Sequence, residues 1–199
     1  MKIIFIVVGV LFLVFVIIQV FAIRSQNGIE KYPYTIIKSH KNFEIRNYEA
    51  MLFTSVKLNS HDYKKASSQG FSILAGYIFG GNETKDKIAM TSPVSISLED
   101  SMTMMFMVPK KFQKENLPKP NQSNIKFNEE PAKTMIAISF GGWANSNKIE
   151  NYKNKLKAAL DAEGIYYTNK FYFFGYNAPF EVFNRRNEVI VEIDNYTIN

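Results

Sequence analysis

The chain has 199 residues, 46% of them hydrophobic and 15% aromatic, which suits one domain with a real core and argues against disorder. It has no cysteine, which excludes disulfides, thiolate nucleophiles and cysteine-based metal centres; its two histidines, His40 and His61, match no common zinc spacing. The net charge of +6 is spread along the chain, and its densest patch, "VPKKFQKENLPKP", lacks the aromatic interleaving of a base-stacking surface, so no nucleic-acid partner is expected.

Residues 3 to 23, "IIFIVVGVLFLVFVIIQVFAI", hold no charge and one polar side chain, Gln19. At the helical rise they extend about 30 Å, the thickness of a hydrocarbon core, so a membrane span is expected. A cleaved signal peptide is the alternative, since "VFA" at 20 to 22 loosely fits a cleavage site. The apolar stretch, however, exceeds the usual h-region of about 7–15 residues. Lys2 precedes the span and Arg24 and Lys31 follow it, a nearly balanced signal read as amino terminus inside and domain on the non-cytoplasmic side. The expected organisation is an anchor or signal peptide over 1–24, a polar linker over 25–33 and a single domain over 34–199.

Beyond the linker the same pattern runs twice. "NFEIRNYEAMLFTSVKL" is strand-like, with Leu52, Thr54, Val56 and Leu58 on one face. "SHDYKKASSQGFSILAGYIFGG" is helical, with Tyr63, Ser67, Gly70, Leu74 and Tyr77 or Ile78 on one stripe, Ser60 as cap and Gly80-Gly81 as stop. Two strands follow, "IAMTSPVSISL" and "SMTMMFMVP". The second half has a strand "AKTMIAISFGGW", then the helix "NKIENYKNKLKAALDAEG" with Asn147 and Glu150 as a capping pair and Gly164 as its end. The strands "KFYFFGY" and "NEVIVEI" complete it. Two βαββ halves would each leave a sheet face and a helix stripe bare. The expected fold is therefore α+β: a distorted antiparallel β-barrel flanked by two long helices, with a cleft between helices and sheet.

Motifs of chemistry are missing. There is no G-x-S-x-G elbow, no phosphate loop and no G-x-G-x-x-G, and Glu44, Glu49 and Glu150 have no partner the sequence identifies, so no catalytic or metal-ligating residue is assigned. Methionines are the informative residues. Alternation puts Met102, Met104 and Phe106 on one face of a strand and Met105 and Met107 on the other, either as core or as a soft wall for a flat ligand. His40 and His61 lie in polar surroundings, "KSHKN" and "NSHDY", which favours exposed turn or helix-end histidines over axial haem ligands. Asn82-Glu83-Thr84, Asn121-Gln122-Ser123 and Asn195-Tyr196-Thr197 fit the glycosylation triplet.

Taken together, "NFEIRNY", "QGFSILAGYIFGGN", "KIAMTSPVSI", "MTMMFMVPKKF", "ISFGGWAN" and "FGYNAPFEVFNRRNEVIVEI" resemble the SOUL haem-binding family over roughly residues 32 to 193. The resemblance implies a non-enzymatic protein that holds haem, or another porphyrin, in an apolar cleft and meets the propionates with basic side chains. On that reading the cleft wall is Phe71, Leu74, Tyr77 and Ile78, with Met90 and Phe106 opposite, and Lys64 and Lys65 are the propionate partners. Some family members carry a histidine after "EIR"; here that position is Asn47, which puts histidine ligation there in doubt. Pro93 suits a strand edge or bulge. Arg185 and Arg186 suit an ion-paired turn before the last strand. Two rivals stand beside this reading. A multidrug-type sensor or carrier of flat apolar cations or lipids would need an acid in the cleft, Glu49 first; an enzyme would need turnover of its ligand.

Overall fold

The computed structural model of the protein describes residues 2–26, 28–60, 62–99 and 101–193. The apolar run forms helix α1 (Lys2–Gln26), whose side chains as far as Val20 are exposed apart from Gln19. Lys2–Val20 has a mean hydropathy of 3.3, long and apolar enough to cross a bilayer.

In chain order there follow β1 (Glu30–Lys31), β2 (Tyr34–Ser39), β3 (Glu44–Tyr48), β4 (Met51–Lys57), α2 (Tyr63–Ile78), β5 (Thr91–Ser92), β6 (Val94–Ser97), β7 (Thr103–Met107), β8 (Ile125–Glu130), β9 (Lys133–Gly141), α3 (Ser146–Ala162), β10 (Phe171–Gly175) and β11 (Arg186–Glu192). Nine strands form one curled antiparallel sheet, a half-barrel in the order β2-β3-β9-β11-β10-β6-β7-β4-β8. The order contains the duplication. The unit β4-α2-β6-β7 lays its strands as β4, β7, β6, and β9-α3-β10-β11 repeats this as β9, β11, β10, so the two halves meet where β10 pairs with β6. Strand β1 runs parallel to β5, from Glu30 opposite Thr91 to Lys31 opposite Ser92, and Tyr32 N–H donates to Ser92 O at 2.8 Å. The domain thus begins inside the stretch expected to be linker.

Both faces of the sheet are packed. Helices α2 and α3 cover one face over Ile45, Val56, Leu58, Met104, Phe106, Ile136, Ile138, Phe173 and Val189. The opposite face buries Tyr32, Tyr48, Phe53, Met107, Met135, Phe174 and Ile190. Met102, Met104 and Phe106 lie on the helix side and Met107 on the other, with Met105 packed against it, as alternation in β7 requires. A buried ion network crosses the second face. Arg46 donates through both Nη atoms to Glu188, at 2.9 and 3.0 Å, while Ser139, Tyr176 and Arg186 also bond that carboxylate.

Differences from the sequence expectation have local causes. Residues 42–58 form two strands in separate ladders, β3 beside β9 and β4 between β7 and β8. Across Glu49-Ala50 the helix-facing positions pass from odd, Phe43 and Ile45, to even, Val56 and Leu58, a one-residue change of phase that a single run of alternation overlooks. Asp62, rather than Ser60, caps α2 by accepting from Lys65 N at 2.8 Å, and Asn145, rather than Asn147, caps α3 by accepting from Lys148 N at 2.9 Å. Strands β2 and β8 are additional; their mixed, half-exposed sequences lack an apolar period. Pro93 separates β5 from β6 after a cis Ser92–Pro93 bond. Gly80 ends α2 at φ +109, and a Cβ on Gly81 would meet Gly76 O at 2.6 Å. Of the glycosylation triplets, Asn82 is buried with its amide donating to Tyr77 O and Asp86 O, Asn121 is exposed, and Asn195 lies outside the described residues.

Candidate ligand groove

The amino-terminal half of α2 stands over the seam where the two halves of the sheet join. Tyr63, Ser67 and Phe71, each one turn on from the last, line a cleft of about 210 Å³. Its floor is Val94 and Ile96 of β6 and Phe173 and Gly175 of β10; its far wall is Trp143, Ala144, Pro179, Arg185 and Asn187. The aromatic rings brace one another: Tyr63 meets Phe173 edge-on at 5.1 Å and Phe71 meets Phe106 edge-on at 5.5 Å. A second, more polar hollow of about 540 Å³ adjoins it, sharing Tyr63 and Ala144 and adding Asp62, Lys64, Asn145, Ser146 and Asn147. The apolar part alone is below the usual ligand-pocket range of about 300–1,000 Å³, so a large flat ligand would enter by one edge and leave the other over the polar hollow.

Arg185 is the group that gives the cleft its charge. Its guanidinium lies over the Trp143 ring, 4.0 Å from the centroid, and Nη1 donates to the carbonyls of Ala178 and Glu181. Its Nε is buried with no hydrogen-bond partner. Burial lowers the Arg185 pKa, with Glu181 and Tyr63 opposing. The loop carrying it is tied internally: Glu181 accepts from Asn177 Nδ2 and Ala178 N, both at 2.8 Å, and Asn177 Oδ1 accepts from Arg186 N at 2.7 Å. Asn187 fixes the other side by donating to Gly142 O at 2.8 Å. The "GYNAPFEVFNRRNEV" stretch is therefore a loop built to hold one wall of the groove. Of its two arginines, Arg186 takes the ion-paired role, on Glu188 at 2.7 Å, and Arg185 faces the cleft.

Of the wall residues expected from sequence, Phe71 lines this groove. Leu74, Tyr77, Ile78 and Phe106 are buried in the core beneath α2, and Met90 is half-buried against the same core. The stripe on α2 is continuous, and periodicity marks its inward face without telling where the sheet falls away from the helix. Lys64 is exposed on the rim of the polar hollow; Lys65 is exposed and lines neither hollow. Tyr63, Ser67, Trp143, Phe173 and Arg185 were not singled out as wall residues, although the helical stripe and the "NRRNEV" motif held the signal for three of them.

Oxygen and nitrogen donors for iron are sparse there. Burial raises the Tyr63 pKa, which keeps it a phenol at neutral pH. His40 is remote, stacked on Phe43 at 4.3 Å and 3.7 Å from Glu163, and Asn47 is exposed on β3. His61 lies outside the described residues. Among those residues no group of three His, Cys, Asp or Glu could hold a metal ion. The hollow on the opposite face is only about 20 Å³, between Tyr32, Ser95, Met105, Lys133 and Tyr172, about the size of one water.

The model of the family described as "SOUL heme-binding protein" matches residues 29–192. The chain belongs to the SOUL family. Among its SOUL relatives, mouse "Heme-binding protein 2" is 31% identical over 80% of this chain and 82% of its own length; Xenopus laevis "Heme-binding protein 1" is 28% identical over 74% and 81%. The SOUL domain is also similar in fold to the EcmrR C-terminal domain, with TM-score 0.61 at 14% identity, covering 82% of this chain and 99% of that one. A Listeria innocua hydrolase has TM-score 0.51 at 12% identity, over 79% and 94%. At such identities these two likenesses speak to the fold alone.

Proposed function

We propose that the domain binds haem, or a related porphyrin, without chemistry, with one edge of the macrocycle between Tyr63, Phe71 and Trp143 and its propionates near Arg185 and Lys64. Haem-binding relatives support the ligand class. The observation that carries the site is the unpartnered Nε of Arg185, a buried cationic donor beside a cleft whose floor and helix wall are aromatic and aliphatic. Leu74, Tyr77, Ile78, Phe106 and Met90 then act as the packed backing of the wall, and Lys65 as a more distant charge.

With no histidine at the groove among the described residues, packing rather than an iron bond holds the ligand. Metal-free protoporphyrin should therefore bind residues 25–199 about as tightly as haemin, within a fewfold. Ser67→Phe, which fills the cleft from a half-buried position, should abolish the saturable Soret change of both while leaving the melting temperature nearly unchanged. Much tighter binding of haemin than of the free porphyrin would point to an iron ligand instead, and an unaffected Ser67→Phe would move the site elsewhere. Prolonged incubation is expected to return the ligand unaltered.

The multidrug-type reading fits the same fold less well. Glu49 faces solvent, paired with Lys110 at 2.9 Å, and the buried Glu188 is already neutralised by Arg46 and Arg186. The acid that does line the groove, Asp62 in the polar hollow, is exposed and taken up in capping α2, so it offers a cationic ligand only a solvated charge. We infer that α1 remains attached as a single-pass anchor, which its length and hydropathy support, with the domain on the non-cytoplasmic side, which rests on Lys2 before the span against Arg24 and Lys31 after it. Protease protection, with the mass of the mature amino terminus, tests both parts.

A further inference from the structure

Gln19 is the one polar side chain in the apolar run, yet it is only 7% exposed. Its amide is used twice: Nε2 donates to Phe180 O at 3.1 Å, and Oε1 accepts from Val182 N at 3.2 Å. One side chain thus satisfies a donor and an acceptor of the loop between β10 and β11, as a neighbouring strand would. Phe15, one turn earlier on the same helix face, meets Phe183 edge-on at 6.4 Å. The loop nevertheless leaves its own apolar side chains outside: Phe180 is 56% exposed, Val182 43% and Phe183 55%, next to Trp143 at 54%.

Depth follows from the helix rise. Gln19 lies about 6 Å, and Phe15 about 12 Å, inside the end of the apolar run at Ile23. A loop fixed to those two residues sits below the surface of any bilayer that α1 spans, at the shallow depth of about 5–10 Å where interfacial elements lie. Backbone there must be satisfied by protein, which Gln19 does for Phe180 O and Val182 N and Arg185 for Ala178 O and Glu181 O, and exposed Phe beside Trp and Arg is the composition of a membrane interface. Gln19 in turn escapes the cost of an unpaired amide in hydrocarbon.

We propose that the loop Ala178–Arg185 is a bilayer-embedded element, with Phe180, Val182 and Phe183 inserted among lipid chains and Gln19 clamping it to the span. It rests on the anchor reading above. The occupant of this apolar surface is lipid, because the surface is continuous with the span through Gln19 and Phe15. Pro179 and Arg185 also line the groove, so the groove has one wall at the headgroup level.

The chain has no cysteine, so single cysteines can carry a polarity-sensitive fluorophore. The full chain would be placed in phosphatidylcholine–phosphatidylglycerol vesicles containing lipids with a quencher at a shallow acyl position, with labels at Phe183→Cys, at Phe180→Cys, or at Ala158→Cys on the exposed face of α3. Flotation with the vesicles is read first: a chain that stays in the aqueous fraction defeats the anchor and the loop together. In floating protein, quenching at both loop positions should exceed that at Ala158→Cys several-fold, and Gln19→Leu, which leaves the span apolar, should lower it. Equal quenching at all three positions in floating protein would overturn the loop proposal alone, and an unchanged signal with Gln19→Leu would overturn the clamp.

Discussion

Lys64 and Lys65 are neighbours in sequence with different places in the groove. Lys64 lines the polar hollow beside Asp62 and Asn147, whereas Lys65 contributes its backbone N–H to the Asp62 cap and lines neither hollow. Exposed charge pairs are worth about 0.2–1 kcal/mol and are screened by salt. Lys64→Ala should therefore weaken haemin binding only by about 1.5- to 5-fold at low salt, a loss that fades near 1 M salt. Lys65→Ala should change it less. Titrations of both variants at two ionic strengths check the order, and a larger loss in Lys65→Ala would place the propionates on the other side of α2. Arg185 is unsuitable for so plain a test, because the same guanidinium also ties Ala178 and Glu181. At this scale the sequence showed which residue types were to hand; which of them met depended on loops that carry no period.

Helix α2 is seated by one residue without a side chain. A Cβ on Gly70 would lie 2.9 Å from Leu58 Cδ1 and 2.9 Å from Met104 Cβ. The leucine tip can turn away, but Met104 Cβ is fixed to β7, so the helix itself would have to lift. Overpacking of this kind costs about 1–3 kcal/mol against a helix-propensity gain of about 1 kcal/mol for glycine to alanine, so Gly70→Ala should be net destabilising. Gly76, exposed in the last turns of the same helix, has nothing within 4 Å of its Cβ position, and Gly76→Ala should stabilise by up to about 1 kcal/mol. Urea melts of the pair should move in opposite directions. A shift in the same direction would mean that α2 does not bear on the sheet at Gly70. The helices, the repeated βαββ order and the two faces of β7 were all legible, because the sequences of α2, α3 and β7 each bury one consistent stripe or alternate cleanly. The break at Glu49-Ala50, strand β8 and the position of the groove were not. The first shows only as a one-residue change of phase, with Phe43 and Ile45 but then Val56 and Leu58 on the helix side, the second has no apolar period, and the third depends on where the sheet curls away from a continuous helical stripe.

The whole domain is tied together at carboxylates rather than at a disulfide. Glu188 of β11 is 0% exposed and joins β3 through Arg46, β9 through Ser139 and the end of β10 through Tyr176. Glu192 joins the same strand to Lys133 of β9 and Tyr172 of β10. Burial alone would raise both carboxyl pKa values; the hydrogen bonds and charges of Arg46 and Arg186 hold Glu188 below the ordinary 4.5, and Lys133 and Tyr172 do the same for Glu192. A carboxyl held below its unfolded value contributes stability that is complete above that value and is lost as pH falls through the folded one. Burial raises Tyr176 and Tyr172, with Glu188 and Glu192 adding to the effect. Their contribution is complete below the ordinary 10.0 and is lost as pH rises beyond it. The domain over 25–199 should therefore hold its stability between about pH 5 and 9, and lose it steeply below about pH 4 and above about pH 10. Glu188→Gln leaves Arg46 buried without its full counter-charge, a cost of about 3–5 kcal/mol at pH 7. The variant should also have a shallower acid limb, since one of the two depressed carboxyls no longer titrates. Denaturant midpoints measured across pH for both proteins decide it: parallel acid limbs would show that Glu188 does not join the strands at neutral pH as a charged group.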